Sequence, residues 1–388
     1  MNILFYHKCV IDPQLGGISK ITYTLANIFR TYGHKVWFLS EIENRKIEDI
    51  NTQFVLPNKR LMAKENIIFF QNILNKHNIG VVINQYALSA NSSSFLGICK
   101  SKFDFKLVSC FHNSILTPIY NFAYQKEYTL KKNKLHFLCK FLKMKAFKSM
   151  LTWIYISKHR SHYLKSVEES DAIVSLCDGL REELLVMIGK PFIKKHYVIP
   201  NCVIIPKESV FDKKNEVLWV GNFDNSIKRP DVMLDIWAKI STRFTNWTLR
   251  FLGDGPSFTE MKDFAKRNNI KNVIFEGRVK PNEFYKRAKI LCLTSTHESF
   301  SLVTVEAENY GVVPIVMNTF PAATLVVKNG LNGVLVDSYD KNKYTQCLIE
   351  LLLDADKLKE MSDGCINYRD QFSPETIYKD WSKLFSEL

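Results

Sequence analysis

Two glutamates eight positions apart, in the run Thr296-His297-Glu298-Ser299-Phe300-Ser301-Leu302-Val303-Thr304-Val305-Glu306, are the residues of this sequence best suited to chemistry. Carboxylates that cleave a glycosidic bond as a pair stand about 5 to 9.5 Å apart. Eight residues, most of them at helical rise, separate these two by roughly 10 Å or more. The spacing favours two grips on different parts of one ligand over hydrolytic pairing; a loop glutamate and a solvated helical glutamate are the plain alternative. Upstream, Ile290-Leu291-Cys292-Leu293 reads as a buried parallel strand, and Ser301 as the N-cap of a helix through Glu306. Glu298 falls in the corner, beside the amides of Phe300, Ser301 and Leu302 at the helix start.

Open parallel sheets bind ligands beyond the carboxyl ends of their strands, and four more loops read as lying on such an edge. Gly16-Gly17 precedes the first helix, where glycine lets amides approach an anion. Gly221-Asn222-Phe223-Asp224-Asn225-Ser226-Ile227-Lys228-Arg229-Pro230 follows another strand and puts Lys228 and Arg229 at a helix start, against the dipole preference. A phosphate would compensate them, and so would a neighbouring acid such as Asp224. Gly253-Asp254-Gly255-Pro256 is a tight turn or a close approach to a nucleotide, and Arg278 and Val279, after Glu276-Gly277, offer backbone to a base edge. His112 ends a strand and is either structural or turned to a ligand. Asp354-Ala355-Asp356 spells a metal-binding pair but lies between helical patterns, so no metal is expected.

The elements that must position these residues alternate in βα fashion. Short apolar runs near 2–6, 35–39, 79–83, 106–111, 171–176 and 196–199 form one series, and 216–220, 247–252, 272–276, 290–293, 313–316 and 333–336 a second. Pro200, Pro206 and Lys213-Lys214-Asn215 interrupt them as a linker. At 388 residues two domains are the default, here 1–201 and 202–373. A final helix over 374–388, with Trp381, Leu384 and Phe385 on one face, is expected to pack back on the first domain.

The net charge of +14 is unevenly spread: residues 1–200 hold 28 Lys and Arg against 14 Asp and Glu, and the remainder 25 of each. Residues 131–165 hold ten bases and no acid, and Phe137, Phe141, Met144, Phe147 and Leu151 recur there at helical spacing. An interfacial helix on an anionic membrane is expected, with a solvated helix as the alternative. No apolar run approaches a membrane span, and the first ten residues do not read as a signal peptide, so a cytoplasmic protein, peripheral on the inner face of the membrane, is expected. The nine scattered cysteines, none in a Cys-x-x-Cys pair, read as reduced core thiols.

Taken together, Gly16-Gly17, His112, Ile199-Pro200-Asn201, Val220-Gly221 with Lys228, Gly253-Asp254-Gly255, the Glu-x7-Glu corner followed by Gly311 and Pro314, and Asn332-Gly333 resemble the retaining glycosyltransferases of family 4. The resemblance implies the GT-B fold, two Rossmann-like α/β parallel-sheet domains facing each other across a cleft. It implies that Glu298 touches donor-sugar hydroxyls, Glu306 holds the ribose, Lys228 binds the diphosphate, and His112 lies beside the sugar in the acceptor-side domain. Charge developing on the diphosphate would be met by Lys228 and by the amides of Gly17 and of Phe300 to Leu302, without a metal or other cofactor. The family suggests a same-face attack in which the leaving phosphate takes the acceptor proton. Asn222 stands where the family usually has arginine, with Arg229 as possible compensation; Cys202 replaces a common glycine and Leu325 a common glutamate.

The expected function is transfer of a hexose from a UDP- or GDP-sugar to a lipid-linked or surface-polysaccharide acceptor, as in capsule, lipopolysaccharide or O-antigen synthesis. The alternatives are a non-catalytic protein that binds anionic membrane or RNA through residues 131–165 with a degenerate sugar-nucleotide site, nucleic acid being the less favoured partner, and an epimerase or hydrolase of sugar nucleotides.

Overall fold

The computed structural model describes residues 1–14, 16–44, 51–189, 195–208 and 211–388. The chain divides into two compact units: Met1–Ile115 with Ile154–Val203 and Phe372–Leu388, and Leu116–Trp153 with Ile204–Gln371. Each is built on one sheet, and every strand pair in both is parallel.

In the first unit the strands are β1 (Asn2–Cys9), β2 (Lys35–Ile42), β3 (Gln53–Val55), β4 (Val81–Asn84), β5 (Lys106–Phe111), β6 (Ala172–Ser175) and β7 (Lys195–Val198), in the order β3-β2-β1-β4-β5-β6-β7. Strands β4 and β6 are buried at every residue, as parallel strands covered by helices on both faces must be. The helix Gly17–Thr31 buries Ile21, Leu25, Ile28 and Phe29 against this sheet. Onto Phe29 the last helix, Pro374–Glu387, packs Trp381 and Phe385 edge-on, with ring centroids 5.5 and 5.3 Å away.

The second unit holds β8 (Glu216–Val220), β9 (Thr248–Leu252), β10 (Val273–Gly277), β11 (Ile290–Leu293), β12 (Val313–Met317) and β13 (Val334–Val336), in the order β10-β9-β8-β11-β12-β13. Its core gathers Trp219, Trp237, Phe251 and Tyr344, all buried. Both sheets reverse their winding direction once, between β1 and β4 in the first and between β8 and β11 in the second. Such a switch point opens a crevice at the carboxyl ends of the two strands that flank it.

Three features differ from the sequence expectation. Strand β3 was not expected, because three residues are too few to set a period. Residues 116–153 group with the second unit rather than with everything up to 201. Their anchors are to residues far along the chain: the Asn121 amide donates to the carbonyls of Thr296 and Thr319, at 2.7 and 2.8 Å, and Lys132 meets Glu260 at 2.9 Å. Finally, the basic segment is not one amphipathic helix. It forms Leu138–Leu142 and Lys145–Glu169, broken at Lys143 and Met144. Two of its lysines lie over rings of the preceding segment, Lys143 on Tyr124 at 4.9 Å and Lys148 on Tyr120 at 4.8 Å. Among the described residues no helix is long and apolar enough to cross a membrane.

Candidate active site

The loops after β8 and β11 meet at the switch point of the second sheet. Thr294, the residue after β11, donates its hydroxyl to the carbonyl of Arg229 at 2.9 Å and accepts from the Trp219 indole at 3.1 Å. Two positions on, the Thr296 amide donates to the Ile227 carbonyl at 2.7 Å and its hydroxyl to the Ser226 carbonyl at 3.0 Å. These bonds stitch the two loops together, and across the stitch the Lys228 ammonium pairs with Glu298. Ser295 donates to the same Glu298 oxygen at 2.7 Å. The pair is partly accessible, Lys228 at 26% and Glu298 at 10% of their side-chain surfaces, so a ligand can reach both.

Close backbone packing flanks this pair. A Cβ on Gly253, whose φ is +132°, would lie 1.8 Å from the Gly221 carbonyl oxygen, so the ends of β8 and β9 touch only because residue 253 is glycine. Gly255 is as tight against Asn222, which is exposed at the loop tip. Arg278 and Val279 follow β10 on the surface.

Glu306 is half-buried on the short helix Leu302–Glu308, near the Tyr285 hydroxyl, which burial first and Glu306 second keep protonated. Ser301 caps that helix from the left-handed region, φ 65°, but its hydroxyl turns to Thr304 Oγ1 at 2.8 Å instead of accepting from the first-turn amides. Phe300 is buried in the core, and Leu302 opens the helix.

Arg229 does not join this group. It is 1% exposed, gripped by Asp231 through two 2.8 Å bonds, by the Tyr124 carbonyl at 2.7 Å and by Glu127 at 3.5 Å. Lys341 closes the network on Glu127 at 3.0 Å. Burial alone would raise the Glu127 carboxyl, yet Lys341 and Arg229 outweigh it and bring it down to about 2. An Arg-x-Asp pairing after a positive-φ turn satisfies the guanidinium internally, so Arg229 cannot replace the missing cation at 222. Its φ of 55° is costly for a non-glycine residue and is held by that grip.

At the switch point of the first sheet a buried histidine and amide meet, and beside them the exposed Lys8 ammonium, near the end of β1, lies 5.9 Å over the Tyr86 ring. His112, after β5, is 6% exposed and its Nε2 meets the side chain of Gln85, which follows β4. Burial, aided by the nearby His7, lowers His112 to about 4, so the imidazole is uncharged at neutral pH. His7, near the end of β1, faces its own strand end, with Nδ1 2.9 Å from the Cys9 carbonyl. Gly16, with φ 92°, is the N-cap of the helix that Gly17 begins, and there is open space where its side chain would be.

The structure thus brings Lys228 and Glu298 into contact, sets Gly221, Asn222 and Gly253 beside them, and places His112, Gly16 and Gly17 on the edge of the other sheet. Sequence reading missed Thr294, Thr296 and Asn121, whose roles are hydrogen bonds to residues remote in the chain, and Ser295, which donates to Glu298 three positions on. It also missed Gln85, for which the only signal was its place after an apolar run. Asp354 caps the helix Ala355–Tyr368, accepting from the Lys357 amide at 2.9 Å. Among the described residues no three His, Cys, Asp or Glu side chains converge as metal ligands.

Comparison with known proteins follows this geometry. The amylovoran biosynthesis glycosyltransferase AmsD of Erwinia amylovora is 23% identical over 228 residues, 54% of this chain and 64% of that protein. An alpha-1,4-N-acetyl-D-galactosaminyltransferase of Campylobacter jejuni, named for a PP-undecaprenol substrate, is 30% identical over 183 residues, 47% of this chain and 50% of that one. The chain thus spans half to somewhat under two thirds of these relatives. In three dimensions it matches the lipopolysaccharide outer core galactosyltransferase WaaB, with TM-score 0.72, 18% identity and full coverage of both chains. Anabaena HepE in complex with UDP and glucose matches with TM-score 0.74 and 15% identity, again over both whole chains. At such identities the likeness is one of fold: two Rossmann-like domains of the GT-B type. The family described as Glycosyl transferases group 1 matches residues 203–367. That stretch contains the whole second sheet with Lys228, Glu298 and Glu306, and over it the chain is similar to the glycosyl transferases of group 1.

Proposed function

We propose that this protein is a retaining glycosyltransferase that moves a hexose from a nucleotide diphosphate sugar to a lipid-linked or surface-polysaccharide acceptor. The observation that carries the reading is the Lys228–Glu298 pair across the switch point of the second sheet. A cation and a carboxylate held together there suit the two halves of a sugar diphosphate. Lys228 neutralises charge as it develops on the leaving diphosphate, while Glu298 accepts hydrogen bonds from sugar hydroxyls. Entry of the donor exchanges their mutual ion pair for contacts with the ligand. Glu306 takes the ribose hydroxyls, and the backbone at Ser301 and Leu302 adds helix-start amides for phosphate. Gly221 and Gly253 leave room for backbone to approach the nucleotide, and Arg278 and Val279 lie at the strand end where a base edge would be met. The neutral His112 and the Gly16-Gly17 turn, at the switch point of their own sheet, suit a polyhydroxyl partner.

Several comparisons support the donor and acceptor classes. HepE binds UDP and glucose, and the pneumococcal O-GlcNAc transferase GtfA binds UDP and GlcNAc. AmsD is named for amylovoran biosynthesis and the Campylobacter relative for an undecaprenol-linked substrate. An anionic membrane surface as partner is supported by the ten bases of 131–165, each worth about 1 kcal/mol near such a surface. Beside them Trp153 and Phe137 stand 69% and 61% exposed.

Incubation with a panel of UDP- and GDP-sugars plus a cell-envelope lipid extract, read by nucleoside diphosphate release and product mass, tests the reading. One donor turned over by the wild type and lost in Glu298→Ala supports it. No turnover of any donor, or turnover unchanged by Glu298→Ala, refutes it.

A further inference from the structure

The second sheet has an opposite edge, where its strands begin, and a cavity of about 450 Å³ opens there. Asn215, Trp247 and Lys289 line it from the positions just before β8, β9 and β11, and Leu358 from a covering helix. Its volume lies in the range of small-molecule sites, about 300 to 1,000 Å³. The strands between are about five residues long, which puts the cavity roughly 15 Å from the Lys228–Glu298 edge.

Its chemistry is one-sided. Three lysines line it, Lys213, Lys289 and Lys359, and no acidic residue does so among the described residues. Lys213 donates to two carbonyls, those of Tyr285 and Ala288, each at 2.9 Å, and has no carboxylate within ion-pairing distance among the described residues. Burial pulls its ammonium down to about 7. Lys289 lies over the Trp247 ring at 5.6 Å and donates to Asn215 at 2.7 Å. Only Lys359, at the rim, has an acid of its own, Asp363 at 2.7 Å. Carbonyls alone leave a buried ammonium without a counter-ion, so its charged form is costly, and a ligand carboxylate or phosphate supplies the missing opposite charge.

We propose that this cavity is a second binding site, for a small organic anion whose acidic head meets Lys213 and Lys289 and whose apolar body lies against Leu358. The site is independent of the sugar-nucleotide reading, since it uses none of those residues.

Hydrogen–deuterium exchange with 8-anilinonaphthalene-1-sulfonate, an acidic head on an apolar body, tests it on the full chain. The sulfonate slows exchange in segments 211–216, 244–249 and 354–362, with saturating UDP present or absent. Its uncharged parent, N-phenyl-1-naphthylamine, binds there about tenfold more weakly, the worth of a charge-assisted hydrogen bond. Leu358→Trp, which fills the cavity, and the double variant Lys213→Met/Lys289→Met each weaken sulfonate binding by about tenfold or more. Lys359→Met changes an exposed residue and leaves folding intact, and it weakens binding about threefold. Protection confined to 135–155 or to 221–229, equal binding of the uncharged parent, or an unchanged affinity in Lys359→Met and Leu358→Trp overturns the proposal.

Discussion

The two sheets share the strand order about their switch points and differ in the side chains that meet there. In the second, a lysine and a glutamate face each other, backed by hydroxyl-to-carbonyl bonds from Thr294 and Thr296 and by the Ser295 hydroxyl, which donates to Glu298. In the first, an amide and an imidazole do so, and the imidazole is kept neutral by burial. A crevice geometry is therefore set by strand order, whereas its ligand class is set by a few residues at the strand ends.

The comparison can be broken at its charged side first. Lys228→Met removes the cation and leaves Glu298 without its partner; turnover should fall about 1,000-fold, the upper range for loss of one transition-state donor. A fall below tenfold would mean that the diphosphate is neutralised elsewhere. Next in size is Arg229→Met, which leaves Asp231 without its buried partner and takes one of the cations from Glu127, and should cost about 3 kcal/mol of stability by denaturant unfolding. Unchanged stability would show that the network is not what holds the loop behind Lys228. Glu298→Ala should lower turnover by about 100-fold, the worth of a charged hydrogen-bond partner, with release of the Lys228 ammonium.

The smallest effect belongs to the first sheet. His112→Asn should reduce turnover about tenfold, equally at pH 6 and pH 8, because the imidazole is uncharged at both. It should also flatten part of the acid response. With a folded value near 4 and an unfolded value of 6.5, His112 is protonated more readily in the unfolded chain, so stability falls as pH drops from 6.5 towards 4. A loss that grows between pH 8 and pH 6 would mean that a charged histidine does the work, and the contrast between the two edges would collapse.

Much of this was legible from one chain of letters, for a physical reason. Strands such as Ile290–Leu293 and Val313–Met317 are buried on both faces and read as unbroken apolar runs, and the residues that follow them could be placed on one edge without coordinates. Glu298 and Lys228 were thus each found, although their contact spans seventy positions. What stayed hidden depends on partners that no local pattern announces. Arg229 looks like a phosphate ligand by its loop; Asp231 two positions on takes two of its bonds, and Glu127 and Tyr124, about a hundred residues away, complete its burial. For the same reason the apolar residues of 137–151 suggested one continuous helix, while the chain breaks at Lys143 and Met144, with Lys143 and Lys148 over the rings of Tyr124 and Tyr120.

The grouping of Leu116–Trp153 with Ile204–Gln371 bears on how this protein can be cut and recombined. A fragment started at residue 204 would strip Arg229 of Glu127 and the Tyr124 carbonyl, and would leave Thr296 and Thr319 without the amide of Asn121. Chimeras that exchange the second unit between relatives at a single junction would inherit mismatched halves of one buried network. Two junctions more, around 116 and 153, would move the whole cooperative piece together.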